Sequence, residues 1–538
     1  MSPRFRTSTA ANCIAGASVG FALLLGIACS EPAGSQPDPT TGSDGPQTAP
    51  PPPPPPSGST SSGFADSTSG DGEPTQVETT DRGDDESSTG ELVFDVSFVT
   101  YPQQPMVVDI VFTAPGLDAM VIASDPAIHT APVVGRADET RWRARGLAPN
   151  SIYTLQWSAA DDNGSFNVRT EPALPGYLPS FPVQGDPSGL DGYLLFDQLT
   201  VDRDPIASLF VIDEQGSTRW HLGEARQNLD PTSVFSAAQL RADGTILYVR
   251  EYALVIIDEL GNALLTLDPS VVGVALHHDV VELDNGNFLT LGHAFRDIVY
   301  PDIGLTQVAG DLVLEVTPLG DIVWEWDSFD HLDPQRRLPG FEATILNPET
   351  DEPAQDWTHS SGLVYDDETD SVLLSVRNQD WLLSIDRASG DILWRMGPEG
   401  DFALDAGTWF HHQHSPQWQP DGSLLVYDNG VGNPDVDDPL ETSRAVRYDI
   451  DVETMTAAQV WEDAAEDFLA PTAGDANGLP DGTLLITDSS IDFAVGTSYA
   501  RIRKVDEALA EPLWSLTTEV GTFVYRCVVV PLLPGEAR

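Results

Sequence analysis

The 538 residues are too many for one small core; at about 100 to 200 residues per domain they imply roughly three, and a hydrophobic content of 41% excludes a chain that is mostly disordered. Twenty-six Lys and Arg against 84 Asp and Glu, with Lys504 the one lysine, give a formal charge of −58. That field repels phosphate backbones, which excludes nucleic acid as a partner, and it requires any anionic ligand to find a local cluster of donors.

The first 29 residues read as an export leader. Arg4 and Arg6 precede an apolar stretch over 14–27 that is too short to span a membrane, and small residues lead to Cys29. Leu25-Gly26-Ile27-Ala28-Cys29 resembles a bacterial lipobox. That resemblance implies a lipid on Cys29, a membrane anchor, and a place in the periplasm or at the cell surface; plain secretion is the alternative. Of the three cysteines, Cys527 alone falls in the folded body, so no disulfide framework is expected.

Residues 30–90 are rich in Pro, Ser, Thr, Gly and Asp, with seven prolines from Pro50 to Pro56. Without apolar periodicity they cannot bury a core, and they read as a disordered tether containing a stiff polyproline II spacer. Alternation returns at Leu92, Phe94, Val96 and Phe98, and short strands separated by turn residues follow to about 173. Leu147-x-Pro149-x-x-x-Tyr153 has the spacing found in fibronectin type III domains, and Asp162-Asn163-Gly164 reads as a hairpin turn, so 91–173 is expected to be a small β-sandwich of that kind.

From 185 to 538 the chain repeats. One half-unit is Asp-Gly or Asn-Gly followed by an apolar strand, as at Asp191-Gly192, Asp243-Gly244, Asn285-Gly286, Asp421-Gly422 and Asp481-Gly482. The other is an apolar strand, a turn and often a closing tryptophan, as at Trp220, Trp324, Trp394 and Trp514. Six units begin near 192, 240, 278, 359, 414 and 475, and 523–533 remain as a strand able to close a ring. Tight turns at every half-unit favour four-stranded antiparallel blades, so the expected architecture is all-β: a six-bladed β-propeller behind the small sandwich.

Six of the ten histidines (His277, His278, His359, His411, His412, His414) fall at the starts of the third, fourth and fifth units, which places them around one mouth of the channel. On an extended strand His412 and His414 share a face while His411 points away, and one of His277 and His278 faces inward. Arg377 is expected within the strand 373–377 of the unit that begins at His359. The inferred constellation is His278, His359, Arg377 and His414.

These segments carry a family resemblance. Leu276-His277-His278-Asp279 with Leu283-Asp284-Asn285-Gly286-Asn287, Asp356-Trp357-Thr358-His359 with the strand ending at Arg377, and Gln413-His414 with Tyr427-Asp428-Asn429-Gly430 resemble three successive signatures of the bacterial arylsulfate sulfotransferases. The resemblance covers about 185–538. It implies an exported six-bladed propeller that moves a sulfuryl group from an aryl sulfate donor to a phenolic acceptor, with no nucleotide donor, cofactor or metal. It further implies that His414 is the nucleophile forming a sulfohistidine, that Arg377 holds the sulfate oxygens, and that His278 and His359 bind those oxygens and move the phenolic proton. Trp409 or Phe410 is expected to stack on the aryl ring.

Other readings stay open at this point. A non-catalytic, surface-anchored propeller would use the same cluster to bind a ligand. A metal held by His278, His412 and His414 suits imidazole chemistry, although Arg377 opposes a cation. The Asp-Gly turns are spaced as repeat turns and not as one calcium loop, and no quinone pocket is recognisable.

Overall fold

The computed structural model describes residues 75–77 and 95–537, apart from 102, 115–116, 160–161, 173–177, 187–188, 201–205, 226–233, 339–340, 342, 434–441, 464–467, 492–497 and 510. The expected leader with Cys29, and the tether other than 75–77, lie outside the described residues. The described chain is nearly all β, and its helix is confined to single turns.

Two sheets form the N-terminal part. Val96–Thr100, Val108–Phe112, Thr140–Arg145 and His129–Val133 lie side by side in that order, and Ala119–Ala123, Ile152–Ala159 and Asp162–Arg169 make the second sheet. Alternate residues of both meet in one core that includes Phe98, Ile110, Val121, Leu155 and Val168. Tyr153 is the second residue of its strand, and its hydroxyl receives the Ala148 N–H at 2.7 Å, which fixes the preceding corner.

Two expectations fail here. Thr75–Val77 pairs antiparallel with Phe98–Thr100, so pairing starts inside the segment read as a tether; the open edge of 96–100 offers backbone partners that need no core. Asp162-Asn163-Gly164 is strand and not turn: Ala159 pairs with Asp162 and Trp157 with Gly164, which puts the connection at 160–161. Gly164 answers to packing, since a Cβ there would lie 2.8 Å from Trp157 Nε1.

Six sheets follow in chain order, each antiparallel through its central strands. Their first strands after the connecting loops are Tyr193–Thr200, Ser236–Leu240, Leu276–Glu282, Ser360–Asp366, His414–Trp418 and Asp475–Gly478. In four of them the Asp-Gly or Asn-Gly unit makes the same turn: Asp243, Asn285, Asp421 and Asp481 each accept the N–H of the residue two positions on, and the glycine takes φ near +80°, where a Cβ is strained. Asp191-Gly192 differs. A Cβ on Gly192 would lie 2.3 Å from Val530 O, so this glycine admits the closing strand instead.

That strand, Cys527–Val530, pairs with Tyr193–Phe196 as the innermost member of the first sheet, and Thr522–Phe523 pairs beside it. The sheets pack face to face. Buried clusters join the first sheet to the second, and so on to the sixth, and a further cluster joins the sixth to the first through Leu194, Phe196 and Phe210 against Leu485, Ile502 and Leu516. Each middle strand is therefore buried on both faces: Ile246 and Tyr248 point to one cluster and Leu247 and Val249 to the other, which explains unbroken apolar runs where one-sided strands would alternate. Closing tryptophans tie neighbours together. Trp220 Nε1 donates to Glu259 O, Trp324 Nε1 to Arg387 O, and Trp514 Nε1 to Glu214 O, each in a turn of an adjoining sheet.

The N-terminal pair of sheets is fastened by charge. Arg145 Nε donates to Glu259 Oε2 at 2.5 Å, Arg143 reaches Glu259 Oε1, and Gln104 Nε2 donates to His221 O at 3.0 Å. Glu259 and Arg145 are both buried, and removing one partner of a buried pair strands the other. Glu259→Ala should destabilise the protein by about 3 kcal/mol, read as a lowered urea midpoint, whereas an exposed acid such as Glu368 changed to Ala should leave the midpoint in place.

Candidate active site

A repeated irregularity builds the site. In four of the six sheets the innermost strand loses register at the same point: between Ser236 and Gln239, His277 and Val280, Ser360 and Gly362, and His414 and Gln417. Ala237, His278 and Ser415, within these breaks, have φ of +52°, +55° and +47°. Such bulges re-aim side chains and cancel strand alternation. So His277 and His278 both line one cavity, contrary to the expectation that a single one faces inward.

The cavity has a volume of about 160 Å³ and is walled by residues from successive sheets. His278 comes from the third sheet, His359 from the residue ahead of the fourth, and His414 from the start of the fifth, so these three predicted residues share one space. Their rings are close: His278 and His359 meet edge to face with centroids 4.8 Å apart.

His414 is held by a chain of hydrogen bonds that assigns its tautomer. Asn429 Nδ2 donates to Ala470 O at 2.7 Å and to Ala473 O at 2.9 Å, which turns its Oδ1 toward His414 Nδ1 at 2.6 Å. An amide oxygen only accepts, so Nδ1 carries the proton and Nε2 keeps its lone pair, which receives the Ala473 N–H at 3.3 Å. Burial, with the Arg377 charge second, holds the His414 pKa well below the usual imidazole value. The ring is neutral at pH 7.

His359 Nδ1 lies 2.5 Å from Asp356 Oδ2, and His278 Nδ1 lies 2.7 Å from His277 Nδ1. Burial first, then the neighbouring imidazoles, push the His278 pKa well down. His277 Nε2 faces Asp311 Oδ1 at 3.2 Å. Burial alone would raise the Asp311 carboxyl, but the bond and charge of His277 hold it below the ordinary carboxylate range.

Arg377 is placed differently from the expectation. Its strand ends at Val376, and Arg377 opens a 3-10 turn, Arg377–Gln379, because the chain must reverse before Trp381–Asp386. Its guanidinium donates to Asn378 Oδ1 at 2.7 Å and Pro471 O at 3.0 Å, and its buried Nε has no partner. Burial lowers its pKa to about 10. It stands behind the cavity wall, bonded to the same 470–473 segment that holds Asn429 and His414.

His411 and His412 do not follow strand alternation either. They precede the strand, His412 has φ +53°, and both address Asp380, with Nδ1 atoms 3.1 and 3.2 Å from its two oxygens. His412 thus does not converge with His278 and His414, and that metal set is not formed. Trp409 lies outside the cavity, packed on Phe410 and Tyr448, and Phe410 is fully buried in the same cluster, so neither ring faces the cavity. Among the described residues one other set could be considered for a metal, His277, His293 and Asp311. The His277 and His293 rings stack at 3.9 Å and 17°, however. Imidazole lone pairs lie in the ring plane, so stacked rings do not aim at one ion.

The remaining wall residues were not legible as site residues: Arg250, Tyr252, His293, Thr472 and Tyr525 line the cavity, and Asn429 orients the nucleophile candidate from behind. The one signal within reach was Asn429 in the Tyr427-Asp428-Asn429-Gly430 signature.

The model of the arylsulfotransferase (ASST) family matches residues 184–526. The arylsulfate sulfotransferase AssT of Escherichia coli O6:H1 is 24% identical over 325 residues, which are 49% of this chain and 54% of that protein, so the chain spans about half the length of the curated relative it matches. Solved structures with some likeness include a protein of unknown function from Bacteroides caccae, 12% identical with a TM-score of 0.39 over 62% of this chain and 99% of that one. The hydrazine synthase of Kuenenia stuttgartiensis is 10% identical with a TM-score of 0.30 over 53% and 66%. Both scores are too low to bear on the fold. With more than half of its length matched by the family model, the chain belongs to the arylsulfotransferase (ASST) family.

Proposed function

We propose that the chain is an arylsulfate sulfotransferase that carries a sulfuryl group from a phenolic sulfate ester to a second phenol through a sulfohistidine at His414. The observation that carries this reading is the tautomer of His414: a neutral ring at a cavity shared with His278 and His359, with its proton on Nδ1 and its Nε2 lone pair held by the Ala473 N–H at 3.3 Å, a bond that attack on sulfur releases. The architecture that fits best is a six-bladed β-propeller with this cavity on its axis, behind a fibronectin type III-like sandwich. The cyclic run of buried clusters, the pairing of Cys527–Val530 with the first sheet and the Tyr153 corner support it. A lipid on Cys29 would hold this body outside a membrane on the 30–90 tether.

In the first half-reaction the Nε2 lone pair attacks sulfur, and the bond from sulfur to the aryl oxygen breaks. The phenolate leaves with that electron pair and takes a proton from His359, whose Nδ1 faces Asp356, while His278, its pKa pushed well down, binds the sulfuryl oxygens as a neutral ring. In the second, His359 removes the acceptor's phenolic proton, the phenol oxygen attacks sulfur, and the electrons of the N–S bond return to Nε2. A cavity of roughly this size holds one aromatic ring, so the first phenol leaves before the second enters. Arg377 acts through its charge, which adds to burial in keeping His414 neutral and offsets the sulfuryl oxygens in an otherwise acidic chain.

With nitrophenyl sulfate as donor and phenol as acceptor, nitrophenol release by wild type should depend on phenol, and His414→Ala should remove it. Release that persists in a folded His414→Ala protein overturns the sulfohistidine reading, and no release from any aryl sulfate overturns the transferase. Asn429→Ala frees the His414 proton to move to Nε2 and should lower kcat about 10²-fold or more, by comparison with the loss of tautomer control in other histidine-based sites, in a protein whose circular dichroism is unchanged. The pH profile carries a sign. Because the His414 pKa is depressed, the nucleophile stays unprotonated as pH falls from 8 through the ordinary imidazole value near 6.5, and the acid limb of kcat/KM belongs below that value. Arg377→Gln removes a positive neighbour and should move that limb upward; a limb that stays fixed would show that another group governs it.

A further inference from the structure

The imidazoles of His277 and His278 share a bond that neighbours on a regular strand cannot make. Successive side chains of an extended strand point to opposite sides. Here the register break between His277 and Val280, with His278 at φ +55°, turns both rings to one side and brings their Nδ1 atoms to 2.7 Å. Two nitrogens at that distance hold one proton between them, donated by one ring to the lone pair of the other. Which ring donates fixes what His278 presents to the cavity. If His278 donates, its Nε2 is a lone pair that repels sulfuryl oxygens; if it accepts, its Nε2 carries a proton that binds them.

Asp311 distinguishes the two. Its carboxyl is buried yet held below the ordinary carboxylate range, so it is ionised, and its Oδ2 is taken by the uncharged Ser360 N–H at 2.5 Å. A buried carboxylate requires a cation beside it. Two imidazoles stand there: His277, with Nε2 3.2 Å from Oδ1, and His293, which faces Asp311 across the paired strands and stacks on His277 at 3.9 Å. Burial first, then His277, holds the His293 pKa well below the usual imidazole value, and its buried Nδ1 has no partner. His278 is held neutral in the same way. The positive charge therefore falls to His277, whose oblique approach to Asp311 depends on attraction more than on alignment. With a proton on each nitrogen, His277 is the donor of the pair.

We infer that His277, charged against Asp311, is a positioning residue that donates its Nδ1–H to His278 and so fixes the Nε2–H tautomer with which His278 binds the sulfuryl oxygens. His278 is thus the converse of His414, whose proton Asn429 holds on Nδ1. This rests on reading the cavity as the site of sulfuryl transfer. Two probes of similar size separate the role from a merely structural one: para-toluenesulfonate, which presents sulfonate oxygens but has no ester bond to break, and para-cresol, which has the ring without the sulfonate. Titration calorimetry on the full chain gives both dissociation constants without turnover. His277→Leu removes the donor and should weaken para-toluenesulfonate by about tenfold or more, the worth of one hydrogen bond to a charged group, with para-cresol unchanged. His277→Asn, whose amide N–H stands near the place of Nδ1–H, should restore the sulfonate affinity. Sulfonate binding that holds or tightens in His277→Leu overturns the assignment, because His278 would then have been released from the opposite tautomer, and an equal loss for both probes overturns it as well. If His277→Leu does not fold, the wild-type spectrum labelled with ¹⁵N at histidine decides: the ring signals that vanish in His278→Gln should carry their proton on Nε2, and a proton on Nδ1 overturns the assignment. Failure of wild type to bind para-toluenesulfonate overturns the sulfuryl-transfer reading, and the role of His277 with it.

Discussion

The register break in the innermost strands is the constraint on which the site depends. A strand buried on both faces has no side left for a polar group, because each successive residue is claimed by one interface or the other. One extra residue in three of the innermost strands, and two in the third sheet, release the chain from that alternation at matching points in four sheets. Polar side chains then project toward the centre without opening the apolar interfaces. At these breaks the cavity receives His414 from the fifth sheet, the His277-His278 pair from the third and Ser236 from the second, and in the fourth His359 stands just ahead of the break. The break is common to the scaffold, and the residues placed on it are particular to the chemistry.

Bulges leave backbone groups unpaired, and buried aspartates take them up. Asp311 Oδ2 receives the Ser360 N–H at 2.5 Å, Asp279 Oδ2 receives the Leu363 N–H at 2.9 Å, and Asp197 Oδ1 receives the Tyr525 N–H at 2.8 Å. Each bond crosses from one sheet to another segment, so the carboxylates both satisfy donors and fix the spacing around the cavity. This assigns part of the chain's acidity a structural task. Asp380 serves likewise, receiving the His412 N–H and both imidazoles of the His411-His412 pair, which removes those two histidines from the chemistry.

Much of this was legible in the residues. Paired turns such as Asp243-Gly244 and Asp481-Gly482 mark strand ends because their side-chain and glycine chemistry is local, and closing tryptophans such as Trp220 mark the sheet junctions. His278, His359 and His414 could be grouped because they recur at the heads of consecutive units. What failed was every argument that assumed an extended strand. The facing of His277 against His278, the pairing of His412 with His414 and the strand position of Arg377 all turn on left-handed or helical residues that propensity does not announce in a histidine or an arginine. Trp409 failed for a second reason: an aromatic beside a site residue is more often claimed by the interface next to it, here by Tyr448. Long-range wall residues such as Arg250 and Tyr525 carry no sequence mark at all.

A formal charge of −58 poses a problem for any site that must hold a sulfate ester, and the structure answers it locally. Arg377 is fully enclosed, where its field on His414 is little screened, and it remains protonated because its pKa falls only to about 10. Further cations would not serve at His414 if, as proposed, it attacks sulfur. A protonated His414 has no lone pair to offer, and a deprotonated one bearing its proton on Nε2 has none at the right atom. The enclosed arginine and the Asn429 bond therefore act on different halves of one requirement. Burial, helped by Arg377, keeps the ring from gaining a second proton, and Asn429 decides which nitrogen holds the first. Both are anchored on 470–473, through Pro471 O and through Ala470 O and Ala473 O. That short connection to the sixth sheet couples charge and tautomer at a single place, although it contains no titratable side chain of its own.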